Sequence, residues 1–265
     1  MRNDPSDCIA VSCGLGMDPT FTIALLAAGM LVAAFVYASV GHGGASAYLA
    51  AMALAGVAPQ EMRPIALLLN IVVSAIATFK FHRAGHFRWR LFWPFAAVSI
   101  PLAFVGGAIT LPGQAYRILV GLVLLYAGWQ LWLSGRAGEE MRPLRDPPVA
   151  LAMGIGAAMG LLAGLTGVGG GIFLSPLLLM LGWAGTKQTS AVAAPFILVN
   201  SAAGLAAGFA AGAAALPGHI WALVLAVLAG GWAGAEYGSR RFANPVVRRF
   251  LAVVLAAAGS KMVLV

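Results

Sequence analysis

Two glycine-rich stretches could do chemistry without any catalytic side chain. The first is Ser39-Val40-Gly41-His42-Gly43-Gly44; the second runs from Gly164 through Leu165, Thr166, Gly167, Val168, Gly169 and Gly170 to Gly171. Each opens a short apolar run, so each predicts a helix that begins at adjacent glycines. The first N–H groups of such a helix have no intrahelical partner, and with the positive end of the helix dipole they form an anion site that needs no buried cation. The competing reading is close helix packing through small residues. Gly156/Gly160/Gly164, Gly204/Gly208/Gly212 and Gly230/Gly234/Gly238 all have that spacing, but packing does not require glycines side by side.

Polar side chains within apolar runs are few and costly there, so each is a candidate. Asn70, Ser74, Asn200 and Ser201 suit either an oxyanion or a neighbouring helix, and Thr166 lies within the second glycine stretch. His42 sits between glycines where the second stretch has Val168; an imidazole titrates near neutral pH and could couple an anion to protons, or simply donate to a freed carbonyl. Glu236 is the one carboxylate well inside an apolar run. It lies four residues before Arg240, which favours an ion pair along one helix over a proton relay. Lys187 and Gln188, with Arg63 and Glu61 in the equivalent place of the first half, suit the headgroup level. His82 and His86 have i,i+4 spacing without a third ligand, so no metal site is expected, and no cofactor either.

The elements that must position these residues are membrane helices. Of 265 residues, 61% are hydrophobic and 9% charged, against about 25% charged in soluble domains. Lipid must therefore cover most of the surface. The net charge of +8 comes from basic residues in short loops rather than a continuous stripe, which argues against nucleic acid. Cys8 and Cys13 lie in the N-terminal tail, either as free thiols or as a pair. Asp4, Asp7 and Asp18 precede the first apolar run, where a signal peptide would be basic.

Ten apolar segments follow, at 20–40, 43–56, 64–80, 91–110, 115–133, 148–165, 169–182, 190–213, 219–238 and 246–264. The charged stretch 134–147 divides them into five and five. This gives an N-terminal tail (1–19), a first transmembrane repeat (20–133), a cytoplasmic linker (134–147) and a second repeat (148–265). Gly41-His42-Gly43-Gly44 aligns with Gly167-Val168-Gly169-Gly170, Ser74 with Ser201, Trp89 with Trp221 and Arg117 with Arg249. If all ten segments cross, only Arg2, Arg63, Arg117 and Lys261 fall outside, which obeys the preference of Lys and Arg for cytoplasmic loops. Basic residues crowd the loop around 80–90 but not its counterpart, and the next loop pair reverses that bias, as inverted halves with an odd number of crossings require. The expected class is an all-α polytopic membrane protein of two inverted repeats with glycine-broken short helices near the midplane. Segments 43–56 and 169–182 are too short to cross unless unwound glycine backbone helps.

The run from Gly164 to Pro176, the following Leu181-Gly182-Trp183, Lys187-Gln188 and Val199-Asn200-Ser201, with Gly41-His42-Gly43-Gly44 as a first-half copy, resembles the sulfite exporter TauE/SafE family of membrane permeases. Many members carry a Thr-Ser pair where this chain has Val192-Ala193. The resemblance implies a multi-pass transporter of the bacterial inner membrane for sulfite or an organosulfonate. Its substrate would sit among Gly41, His42, Gly43, Gly44, Asn70, Thr166, Gly167, Gly169, Gly170, Gly171 and Asn200, with a proton, and His42 or Glu236, as the candidates for coupling. The alternatives are an anion channel, or a membrane protein of sulfur metabolism that moves nothing. No Walker A, Gly-x-Ser-x-Gly or His-Glu-x-x-His sequence occurs, so ATP drive and the common hydrolytic chemistries lack their parts.

Overall fold

A computed structural model describes residues 19–134, 145–214, 216–218, 220–240 and 245–264. Among them are ten helices: α1 Pro19–Ala38, α2 Ala45–Ala55, α3 Pro59–Arg83, α4 Trp89–Ala108, α5 Gly113–Ser134, α6 Val149–Thr166, α7 Gly171–Met180, α8 Thr186–Ala210, α9 Ile220–Arg240 and α10 Pro245–Leu264. Every expected segment is a helix within a few residues of its place, and the described residues contain no strand. Six of the helices are long and apolar enough to cross a membrane. Trp89, Trp221, Leu225 and Leu264 are among the large apolar side chains that face outward. The protein is a multi-pass membrane protein. Cys8, Cys13 and residues 135–144 of the linker lie outside the described residues.

Small residues decide which helices meet. Apolar lipid supplies little drive for helix association, so close backbone packing must do so. Gly156, Gly160 and Gly164 of α6 lie directly on the backbone of Phe95, Ser99 and Ala103 of α4, and Gly230, Gly234 and Gly238 of α9 lie on Leu31, Phe35 and Ser39 of α1. In both pairs the numbering rises together, so the helices run parallel. A Cβ at Gly156 would stand 2.5 Å from the Phe95 carbonyl oxygen, inside the contact distance that real Cβ atoms keep.

Two other pairings run antiparallel. On α3 and α8, Leu67 is opposite Gly204, and Asn70 is bonded to Ser201. On α5 and α10, Gly121 is opposite Gly259 and Gly128 opposite Ala252. These helices hold equivalent places in the two halves of the chain. The halves also interleave: α1 and α3 take α9 as a neighbour and α2 packs against α10, while α8 packs with α4, α6 and α7. The α3–α8 contact joins the two groups, and α5 with α10 forms a further pair.

The short helices are shorter than their apolar runs. At 1.5 Å per residue, α2 with 11 residues and α7 with 10 reach about 16 and 15 Å, half of a hydrocarbon layer of about 30 Å. The glycine stretches lie directly before them in the chain. Basic residues collect at two ends of the bundle. Arg88 pairs with Asp146 at 2.8 Å at the linker end. Arg63 and Lys261 bind carbonyls at the opposite end, where Arg117 lines a recess with Gln60 and Gln114.

Candidate functional site

Helix α1 ends because Gly41 turns left-handed (φ 76°), and the His42 N–H returns to the Tyr37 carbonyl at 2.9 Å. At this point the chain is level with the last turns of α9, since Ser39 lies against Gly238. Four residues later the Ala45 N–H donates to Asn70 Oδ1 at 3.1 Å, and Asn70 is midway along α3. The first break thus carries the chain from one end of the bundle to its middle. Gly41 passes against Ser190, near the start of α8, whose hydroxyl donates to the Val40 carbonyl at 2.8 Å.

The second break arrives from the other end. Gly167 follows α6 in a left-handed conformation and passes against Arg63, one turn into α3. Thr166 is committed to the scaffold: its hydroxyl donates to the Leu162 carbonyl at 2.6 Å and accepts the Val168 N–H at 3.3 Å. The Val168 carbonyl then accepts Asn70 Nδ2 at 3.2 Å. Antiparallel α3 and α8 put Ser190 and Arg63 at opposite ends, so the two breaks approach from opposite sides and meet at one asparagine.

The meeting point is tight. A Cβ on Gly169 would lie 2.7 Å from Asn70 Nδ2, 2.8 Å from Ile197 and 2.9 Å from Ser201 Oγ. Gly43 lies against Asn70 and Ile197, and Gly171 against Ile197. Asn70, Ser74, Thr166, Asn200 and Ser201 are wholly buried, so the arrangement is closed to both ends. Among the described residues the amide N–H groups of Gly43, Gly44, Gly169 and Gly170 have no hydrogen-bond partner. A buried amide without a partner costs about 1–3 kcal/mol, and four at one junction form a donor set suited to an anion.

The expected residues divide here. Gly43, Gly44, Gly169, Gly170 and Gly171 converge with Asn70, and Gly41, His42 and Gly167 lie on the approaches. His42 Nδ1 donates to the Val40 carbonyl at 3.1 Å. Asn200 turns back along its own helix, with Nδ2 on the Phe196 carbonyl at 2.9 Å; Ile197 and Ser201 of α8 hold the position at the breaks. Glu236 is ion-paired to Lys80 of α3, whose ammonium also lies 4.2 Å from the Trp232 ring centroid. The side chain of Arg240, the partner expected from spacing, lies outside the described residues. No group of three or more metal-ligating side chains occurs among the described residues.

Ile197, Ser190 and Tyr48 were not legible as neighbours of the breaks. The repeat alignment carried the one usable signal, because Ile197 is the counterpart of Asn70 when Ser74 is set on Ser201. Arg63 donates to the Ile109 carbonyl at 2.8 Å and also to that of Gly107, so it caps α4 beside the second break.

A family model described as "Sulfite exporter TauE/SafE" matches residues 25–262. The chain is 39% identical over 239 residues to a "probable membrane transporter protein y4hK" of Sinorhizobium fredii, covering 89% of this chain and 96% of that protein. It is 26% identical over 221 residues to a "probable membrane transporter protein ORF9" of a Sinorhizobium species, covering 81% and 82%. No solved structure matches the chain.

Proposed function

We propose that this chain, which belongs to the sulfite exporter TauE/SafE family, moves a small sulfur-containing anion such as sulfite or an organosulfonate by secondary transport. Membership makes the protein a membrane transporter; the substrate and mechanism are our reading. The observation that carries it is the convergence of two glycine breaks from opposite ends of the bundle on Asn70. Their unpaired amides offer only donors, which suits an oxyanion. A site reached from each end by a different break suits alternating access, in which one approach opens while the other stays closed.

The antiparallel α3–α8 and α5–α10 pairs support reading the halves as inverted repeats. Because α4 and α9 are exchanged between the halves, the bodies that rock are α1–α3 with α9 and α6–α8 with α4, hinged across α3 and α8. Full burial of Asn70 and Ser201 favours a carrier over an open pore. His42, on the first approach, is the group whose protonation would couple the anion to a proton gradient.

The test is uptake of labelled sulfite, thiosulfate, a small sulfonate and sulfate into liposomes holding the purified protein, with and without a pH gradient. Saturable uptake of one sulfur anion is the expected result. A folded protein that carries none of them would sink the substrate reading.

A further inference from the structure

Tyr48 carries a polar group that the packing leaves over. It is wholly buried, and among the described residues its hydroxyl has no hydrogen-bond partner. Tyr48 stands one turn into α2, and a helical side chain lies back over the turn before its own Cα. Here that turn begins at the first glycine break. The Tyr48 oxygen is 2.7 Å from where a Cβ on Gly44 would be. Gly44 has φ 87°, so both its backbone and its missing side chain leave the phenol room to lie across the end of the helix. A neighbouring phenol behaves differently: Tyr37 accepts a hydrogen bond from Ser46 Oγ at 2.8 Å.

A buried hydroxyl without a partner costs stability and offers nothing to the fold in return. Its position beside Gly44, at the unpaired amides of the first break, gives it one use. We infer that the Tyr48 hydroxyl is a substrate-contacting donor that binds an oxygen of the transported anion within the first break. The inference rests on the anion site proposed above and deepens it. In the second half the residue four places after Gly170 is Leu174, also wholly buried, so only the first break contributes a side-chain hydroxyl from this position. The bound anion is therefore held unequally, more strongly by α2 than by α7. A hydroxyl and amide hydrogens together select an acceptor-only group, the ionised oxygens of sulfite or a sulfonate, over a neutral molecule of similar size.

The experiment compares Tyr48→Phe with Tyr37→Phe in the full-length protein. It measures thermal stability in detergent without added anion, the shift in stability on adding sulfite or a small sulfonate, and the KM of uptake in liposomes. Tyr48→Phe removes one oxygen and leaves the ring. It should melt at or above the wild-type temperature, while its KM rises about tenfold or more, the worth of one hydrogen bond to a charged acceptor. Tyr37→Phe should melt lower with its KM unchanged. Two results overturn the assignment: a Tyr48→Phe protein whose KM equals that of the wild type, or one that is destabilised as much as Tyr37→Phe. The two readings fail differently. Wild-type protein that binds none of the anions sinks both, whereas normal wild-type binding with an indifferent Tyr48→Phe sinks only the role of Tyr48.

Discussion

Asn70 Nδ2 donates to the Val168 carbonyl at 3.2 Å although 98 positions separate them in the chain. The same side chain accepts the Ala45 N–H through Oδ1. One amide therefore ties the start of α2 to the break before α7 and fixes the distance between two backbones that approach from opposite ends. Asn70→Asp keeps the acceptor for Ala45, removes the donor for Val168 and sets a carboxylate beside the proposed anion site. Uptake should fall to background, with a lower melting temperature in detergent reflecting about 1–3 kcal/mol for the orphaned carbonyl. Undiminished uptake would show that Asn70 is only a helix tie.

Alanine at Gly169 should be enough to silence transport. Its φ of 79° disfavours any Cβ, and the added carbon meets Asn70, Ile197 and Ser201 within 2.9 Å. The left-handed conformation alone costs about 1–2 kcal/mol. Gly169→Ala should stay helical by circular dichroism, yet lose anion-dependent stabilisation and uptake. Wild-type affinity in a folded Gly169→Ala protein would remove the glycine breaks as the site.

The glycines of α6 and α9 are structural, and bulk there should act on the fold. Gly160 and Gly234 lie directly on the carbonyls of Ser99 and Phe35. Leucine at either should lower stability by at least about 1–3 kcal/mol, the ordinary cost of overpacking. Gly154 has nothing within 4 Å of its would-be Cβ, so Gly154→Ala should melt like the wild type. Thermal unfolding of the three purified variants checks the contrast.

Glu236 separates a structural charge from a coupling one. Its pairing with Lys80 joins α9 to α3 at the linker end, and both side chains are partly exposed, at 36% and 18%. Exposed pairs contribute about 0–1 kcal/mol, so Glu236→Gln should lower stability slightly and leave the response of uptake to a pH gradient intact. Loss of that response alone would make Glu236 the coupling group.

His42→Gln tests the other candidate. Glutamine keeps a donor near the Val40 carbonyl but cannot take up a proton at neutral pH. Uptake should persist at a fixed pH on both sides and cease to grow when a gradient is imposed. A gradient response equal to that of the wild type would exclude His42 from coupling.

The run of apolar residues and the sparseness of charge were enough to establish an all-helical membrane protein, because burying peptide groups in lipid leaves helices as the available solution for segments this apolar. Adjacent glycines marked both breaks for the same reason: side-chain spacing does not explain them, and a backbone need does. Gly43, Gly44 and Gly169 could be placed at the breaks from sequence because that placement is local. Asn70 and Asn200 looked alike as buried amides, and only the packing of α3 on α8 turned one into the bridge between the breaks and the other back along its own helix. Glu236 had a basic residue one turn away, yet its described partner is Lys80, 156 positions distant. Tyr48 lies within the apolar run 43–56; that its hydroxyl has no partner among the described residues depends on what the neighbouring helices leave unfilled. Local composition sets where a chain can unwind. Which side chains face the unwound backbone is decided by helix pairing, which depends on contacts between residues far apart in sequence.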